Sequence, residues 1–148
     1  MKKKSFVAFA LVFIPLFLFM QEGCKKNIDP GPDYPQLIGK WTGSTSQSQP
    51  VNIYVDYFNK WMNIYQYNIV VFFNSGGSRT ISGFNADGIT GVVNKAFNID
   101  LGSGIYGPGF IQGAFDVNSL TLSGTFRIYN PNDPNDATSG YYSAIQSK

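Results

Sequence analysis

"LTLSGTFRIY", residues 120–129, alternates apolar and polar side chains from end to end. Leu120, Leu122, Gly124, Phe126 and Ile128 fall on one face, and Thr121, Ser123, Thr125 and Arg127 on the other. A strand points successive side chains to opposite faces, so period two identifies a strand buried on one side. "FNIDL" (97–101) and "VNIYVDY" (51–57) repeat the pattern. Turn formers separate the segments: Ser75-Gly76-Gly77, Asp87-Gly88, Gly102 to Gly109, Asn118-Ser119 and Asn130 to Asp136. The reading is all-β: a small antiparallel β-barrel or a strongly coiled β-sandwich of roughly six to ten strands. The expected inward set is Leu37, Trp41, Val51, Ile53, Val55, Ile69, Val71, Phe97, Ile99, Leu101, Phe115, Leu122, Phe126 and Ile128.

Residues 54–69 carry two signals. Val55, Phe58, Trp61, Met62, Tyr65 and Ile69 also fit helical spacing. Ile, Tyr, Val and Asn dominate the stretch, and they prefer strands or turns. A hairpin turning at Phe58-Asn59-Lys60 is therefore expected, with a short helix across the barrel mouth as the rival.

Glycine recurs inside the strand-like segments: "ISGF" (81–84), "ITGV" (89–92), "IQGAF" (111–115), "LSGTF" (122–126) and "SGYY" (139–142). Glycine weakens a strand interior, so its recurrence points to bends, bulges or close packing, as in coiled sheets and small barrels. The spacing is irregular, which sets a solenoid or propeller aside. Gly39-Lys40-Trp41, followed by Thr42-Gly43, resembles the G-x-W opening of lipocalin-type barrels. With "LSGTF" and "SGYY", residues 37–148 are similar to the small all-β domains of Bacteroidetes lipoproteins. Lipocalins often set a basic residue over that tryptophan. Arg127 is the candidate here, and the alternation puts it on the polar face.

The N-terminus reads as an address. Lys2, Lys3 and Lys4 precede an apolar run from Phe6 to Met20, broken by Pro15. That run suits a signal segment and is short for a membrane span of roughly 20 residues. Gly23 then precedes Cys24, the one cysteine of the chain. Gly23-Cys24-Lys25-Lys26 resembles the start of a bacterial lipoprotein of the Bacteroidetes type. The resemblance implies a signal peptide over 1–23 and lipidation of Cys24. It also implies attachment to the bacterial cell envelope, expected at the outer membrane. A lone cysteine excludes an internal disulfide framework. Residues 24–36, with Pro30, Gly31, Pro32 and Pro35, read as a semi-rigid tether. Residues 37–148 read as a single domain.

Loss of Lys2, Lys3, Lys4 and Glu22 with the leader takes the formal net charge from +2 to neutrality. The basicity belongs to the targeting segment, so no nucleic-acid partner is implied. Aromatics at 16% and charged residues at 14% describe a chain that buries surface.

Chemistry has few tools here. The chain has no histidine, and its sole glutamate lies in the leader. Ser-His-Asp and Cys-His catalysis is excluded by composition, as are zinc sites of His and Cys. Asp56, Asp87, Asp100, Asp116, Asp133 and Asp136 remain, on polar faces or in turns, where solvated aspartate is ordinary. No enzyme, cofactor or metal is expected. "NPNDPNDATSG" (130–140) offers oxygen ligands of the kind calcium uses, but lacks EF-hand spacing and reads as a turn.

Aromatic residues beyond the expected core carry the functional expectation. Tyr54, Trp61, Tyr65 and Tyr67 lie near Asn52, Asn63, Gln66 and Asn68. Aromatic faces beside amides suit sugar rings or a protein partner. The expectation is a lipid-anchored binding or accessory module, contacting a glycan or a protein through these residues and the membrane through its lipid. The alternative is a lipocalin-like barrel carrying a small apolar ligand. The inward set holds no charge for a ligand carboxylate, which favours a filled core.

Overall fold

The computed structural model describes residues 32–104 and 107–147. The leader, Cys24 and most of the expected tether lie outside the described residues. One compact unit spans Gly31–Lys148.

Among the described residues, a short 3-10 turn (Pro35–Leu37) leads into nine strands. These are β1 (Gly39–Thr45), β2 (Pro50–Phe58), β3 (Trp61–Phe72), β4 (Ser78–Phe84), β5 (Thr90–Gly91), β6 (Ala96–Gly104), β7 (Gly107–Asp116), β8 (Thr121–Asn130) and β9 (Asp133–Gln146). Eight of them form one antiparallel sheet in the order β4-β3-β2-β1-β9-β8-β7-β6. The first and last long strands pair in the middle, with Trp41 opposite Gln146 and Thr45 opposite Tyr142. The sheet curls into a half-barrel whose free edges are β4 and β6. Near one end β5 spans part of that gap. It pairs with β3 at Asn63 and Ile64, and Thr90 Oγ1 donates to Asn98 O of β6 at 2.9 Å. Edge strand β4 carries Arg79 in the inward row, opposite Val71. An inward-pointing charge on an edge strand discourages pairing with another chain.

The core follows the alternation. Trp41, Val51, Ile53, Val55, Ile69, Val71, Phe97, Ile99, Phe115, Leu122, Phe126 and Ile128 are all buried, and Leu101 is half-buried. Leu37 is also buried, from the 3-10 turn. Trp41 packs edge-on against Phe115, with ring centroids 4.9 Å apart, and its Nε1 donates to Leu37 O at 2.9 Å. The packed region begins ahead of the expected start at Leu37, because Tyr34 already rests on the core.

The recurrent glycines have a shared purpose. Gly113, Gly124 and Tyr142 oppose one another across β7, β8 and β9. A Cβ on Gly113 or on Gly124 would lie 2.5 Å from Tyr142 Oη. Gly83 faces Tyr67 in the same way, and Gly140 faces Phe126. Each glycine gives up its side chain so that a ring on a neighbouring strand can lie over its backbone, the aromatic rescue known from sheets. Gly91 is the exception, since a Cβ there would meet no ring, only Met62 O at 4.0 Å.

Three expectations are corrected. Leu120 is not a strand residue but ends the β7–β8 turn, exposed, with φ +50°. There the turn claims a residue that alternation alone would assign to the core. The 130–136 stretch turns only briefly, since β9 starts at Asp133 and buries Asp136. Likewise β6 and β7 extend into the expected 102–109 turn, because this long hairpin keeps its pairing to Gly104–Gly107. The 54–69 stretch is the expected hairpin, with Asn59 and Lys60 at the turn and Phe58 opposite Trp61. Its helical signature comes from a β-bulge. The β2–β3 register shifts between Tyr54 and Val55, so that Tyr65 is the extra residue. Met62 and Ile64 face inward before the bulge, and Tyr67, Ile69 and Val71 after it.

The half-barrel has two unlike ends. The chain enters at the end holding the β2–β3, β5–β6 and β7–β8 connections. There Gln146 Nε2 donates to Gln36 O and Ile38 O, each at 2.8 Å. The far end is laced by amides and a carboxylate. Gln47 Nε2 donates to Phe72 O and Thr138 Oγ1, while its Oε1 accepts from Phe72 N. Asp136 accepts from the backbone N–H groups of Asn74 and Ser75 at 3.1 Å, from the Ser75 hydroxyl, and from Asn130 Nδ2. These bonds join the β3–β4 turn to β8 and β9, which are not its neighbours in the sheet.

Candidate functional site

The outer face of β1–β4 carries two parallel rows, read from the register. One row crosses the strands as Lys40, Tyr54, Gln66 and Phe84. The next runs Thr42, Asn52, Asn68 and Ser82. The bulge adds Tyr65 to the first row. Continued alternation from Tyr67 would turn Tyr65 into the core; the extra residue keeps it outside, and re-aiming a side chain is what bulges do. The rings form a chain: Tyr54 to Tyr65 at 5.9 Å, Tyr65 to Phe84 at 6.4 Å, with interplanar angles of 59° and 82°. Lys40 Nζ stands 5.6 Å from the Tyr54 ring. Tyr54 and Tyr65 are half-buried, while Phe84 is 69% exposed.

The amide row beside the rings leads to a shallow cleft of about 430 Å³ on β1, β9 and β8. Thr42, Ser44, Thr121, Ser123 and Ser143 line it with hydroxyls, and Ile145 supplies an apolar wall. Thr42 Oγ1 shares a 2.7 Å hydrogen bond with Ser147 Oγ. Rings, amides and hydroxyls thus occupy one continuous outer surface, whose charges on β1–β4 are Lys40 and Asp56. Such a surface can stack on apolar faces and exchange hydrogen bonds with hydroxyl-rich ligands.

The four aromatics singled out in the sequence divide. Tyr54 and Tyr65 meet on the outer face. Trp61 is 69% exposed at the β2–β3 turn, two residues from Asn63, whose Nδ2 donates to Trp61 O at 2.9 Å. Tyr67 turns inward, 6% exposed over Gly83, and burial raises its phenol pKa. It packs the core instead of presenting a contact, because the bulge reverses the phase between positions 65 and 67. Phe84 and Lys40 complete the row and were not expected there. A signal for Phe84 existed: in "ISGF" it shares the polar phase with Ser82, an odd place for phenylalanine. Arg127 lies on the outer face as expected, 5.6 Å from the Tyr129 ring.

Asp136 is buried as a latch. The Ser75 hydroxyl, then the Ser75 backbone N–H, the Asn130 amide and the Asn74 N–H, hold its carboxyl below the usual range against the opposing effect of burial. Its oxygens are occupied by these donors, so the start of β9 ties the far end together from within. Asp116 is likewise lowered, first by the Ser119 hydroxyl and then by turn N–H groups. The chain matches no protein-family model, no curated protein and no solved structure.

Proposed function

We propose that the chain is a lipid-anchored binding module of the bacterial cell envelope, attached through Cys24, that holds glycan chains on its outer sheet face. The observation that carries this reading is the bulge that keeps Tyr65 outside, between Tyr54 and Phe84. A strand irregularity costs ladder pairing. Here it extends a row of rings that the core does not use. The tilts between the rings suit a single twisting saccharide chain better than a flat crystalline face. Asn52, Asn68 and the hydroxyl cleft would supply hydrogen bonds along the chain's edge.

The alternative, an apolar ligand inside the barrel, finds less support. Trp41, Val51, Ile53, Ile64, Ile69, Val71, Ile111 and Leu122 are 0% exposed, so no water-sized void touches them. An interior carrier needs such a void.

Detergent-solubilised full-length protein run through gels containing candidate envelope and extracellular polysaccharides tests the reading. Retardation by at least one polysaccharide is expected, and it should be lost in Tyr54→Ala and Phe84→Ala without a change in melting temperature. Retardation unchanged in both variants would remove the outer face from consideration. A lipid recovered by solvent extraction of the purified protein would favour the carrier reading instead.

A further inference from the structure

The two ends of the half-barrel differ in what their turns expose. Among the described far-end turns the residues are polar or small: Ser46 to Gln49, Asn74 to Gly77, and Pro131-Asn132; the fourth far-end connection, β6–β7, holds Ile105 and Tyr106, which lie outside the described residues. At the entry end each connection carries an exposed large apolar side chain. Trp61 is 69% exposed and Phe58 39% at the β2–β3 turn, Val93 63% at the β5–β6 connection, and Leu120 37% at the β7–β8 turn. Ile145, 62% exposed, sits near the end of β9 at the same end. Two large side chains are exposed at the far end as well: Phe72, 44% exposed, flanks the β3–β4 turn, and Tyr141, 69% exposed, lies beside Ser46 of the β1–β2 turn.

Leu120 is the most telling. Its backbone is left-handed at φ +50°, a conformation that ordinarily selects glycine or asparagine. A branched apolar residue there still leaves 37% of its surface exposed. Asn59 and Lys60, then Asn94 and Lys95, fix the other two turns in the same left-handed region. The tips are set by backbone conformation, and each presents a residue that water does not favour.

The entry end is also where the rest of the chain departs. Tyr34 lies beside Lys95 there, 5.7 Å from Nζ to ring centroid, and Leu37 is buried beneath Trp41. The residues preceding this point include the apolar run Phe6–Met20 and Cys24. From Cys24 to Tyr34, at about 3.1 Å per residue in polyproline form, the chain spans roughly 30 Å. An anchor placed there would join the domain at this end.

We infer that the entry end docks on a lipid bilayer, with Trp61 entering the interfacial zone and Val93 and Leu120 beside it. Tryptophan favours that zone because its ring is apolar while its N–H can still meet water. Lys60 and Lys95 sit at the tips, but Asp56, Asp87 and Asp116 lie at the same end. The named charges sum to −1, which gives no attraction to anionic lipid, so docking is driven by apolar insertion. It leaves the outer sheet face of β1–β4 open to solvent. The inference rests on the membrane-attached reading but not on glycan binding.

Two tryptophans with opposite environments make the test internal. Full-length protein is reconstituted into phosphatidylcholine vesicles with and without brominated acyl chains, which quench only fluorophores that reach the lipid. Trp61 emission should be largely lost in brominated vesicles, and the Trp61→Phe variant, reporting Trp41 alone, should show no quenching. Equal emission in both vesicle types, with Trp61 open to aqueous acrylamide, would overturn the docking. So would shielding from both quenchers, which would assign this end to a protein contact. Membrane fractionation of Cys24→Ser judges attachment separately. A protein that stays anchored yet escapes bromolipid quenching refutes the docking and leaves the anchor intact.

Discussion

Gly124 and Tyr142 face each other across β8 and β9, and the tyrosine ring occupies the volume that a Gly124 side chain would need. A Cβ there would also lie 2.1 Å from Gln112 O, a backbone atom that cannot swing aside. Gly124→Ala should therefore destabilise the domain by about 1–3 kcal/mol, the usual cost of overpacking, or by more. Urea denaturation followed by far-ultraviolet circular dichroism reads the change. Wild-type stability in this variant would contradict the close packing of ring on glycine.

The two tryptophans should respond oppositely to truncation. Trp41 is fully buried, bonded to Leu37 O and packed on Phe115. Its replacement by alanine should cost about 3–5 kcal/mol. Trp61→Ala should shift stability by no more than about 0.5 kcal/mol, as for an exposed surface site. Denaturation midpoints of the pair decide it, and a large loss in Trp61→Ala would place that ring in the core.

Asp136 gives the far end a pH dependence. Its carboxyl is lowered in the folded state, chiefly by the Ser75 hydroxyl. A depressed carboxylate stabilises the fold above its unfolded pKa of about 3.9, and that contribution fades as pH falls through the folded value. Wild type should thus lose stability on acidification below about pH 4. Asp136→Asn should start less stable at pH 7 and lose less on acidification. Parallel curves for the two proteins would assign the acid sensitivity elsewhere.

Attachment is open to direct fractionation. Cys24→Ser removes the thiol expected to carry lipid, so the variant should leave the detergent phase or accumulate uncleaved. Partitioning identical to the parent would rule out lipidation at that residue.

Much of the architecture is local, and so it was legible in the sequence. Period two along 51–57, 97–101 and 120–129 follows from the pleat itself, which places alternate side chains on opposite faces whatever the neighbours. The turn at Asn59-Lys60 follows from residue preference. The recurrent glycines announced close packing, though not that Tyr67, Phe126 and Tyr142 are the rings they admit, since those partners lie on other strands. Tertiary structure alone decided the rest. The bulge at Tyr65 depends on fitting β3 to β2, and it sends Tyr65 outward and Tyr67 inward although both stand outside the expected core. The chain's own order is silent on β1 pairing with β9, on Phe84 completing a row with Tyr54, and on Asp136 reaching the β3–β4 turn. Nor does it say which turns gather at the end where the chain enters. These are contacts between residues far apart in sequence, and only closure of the sheet brings them together.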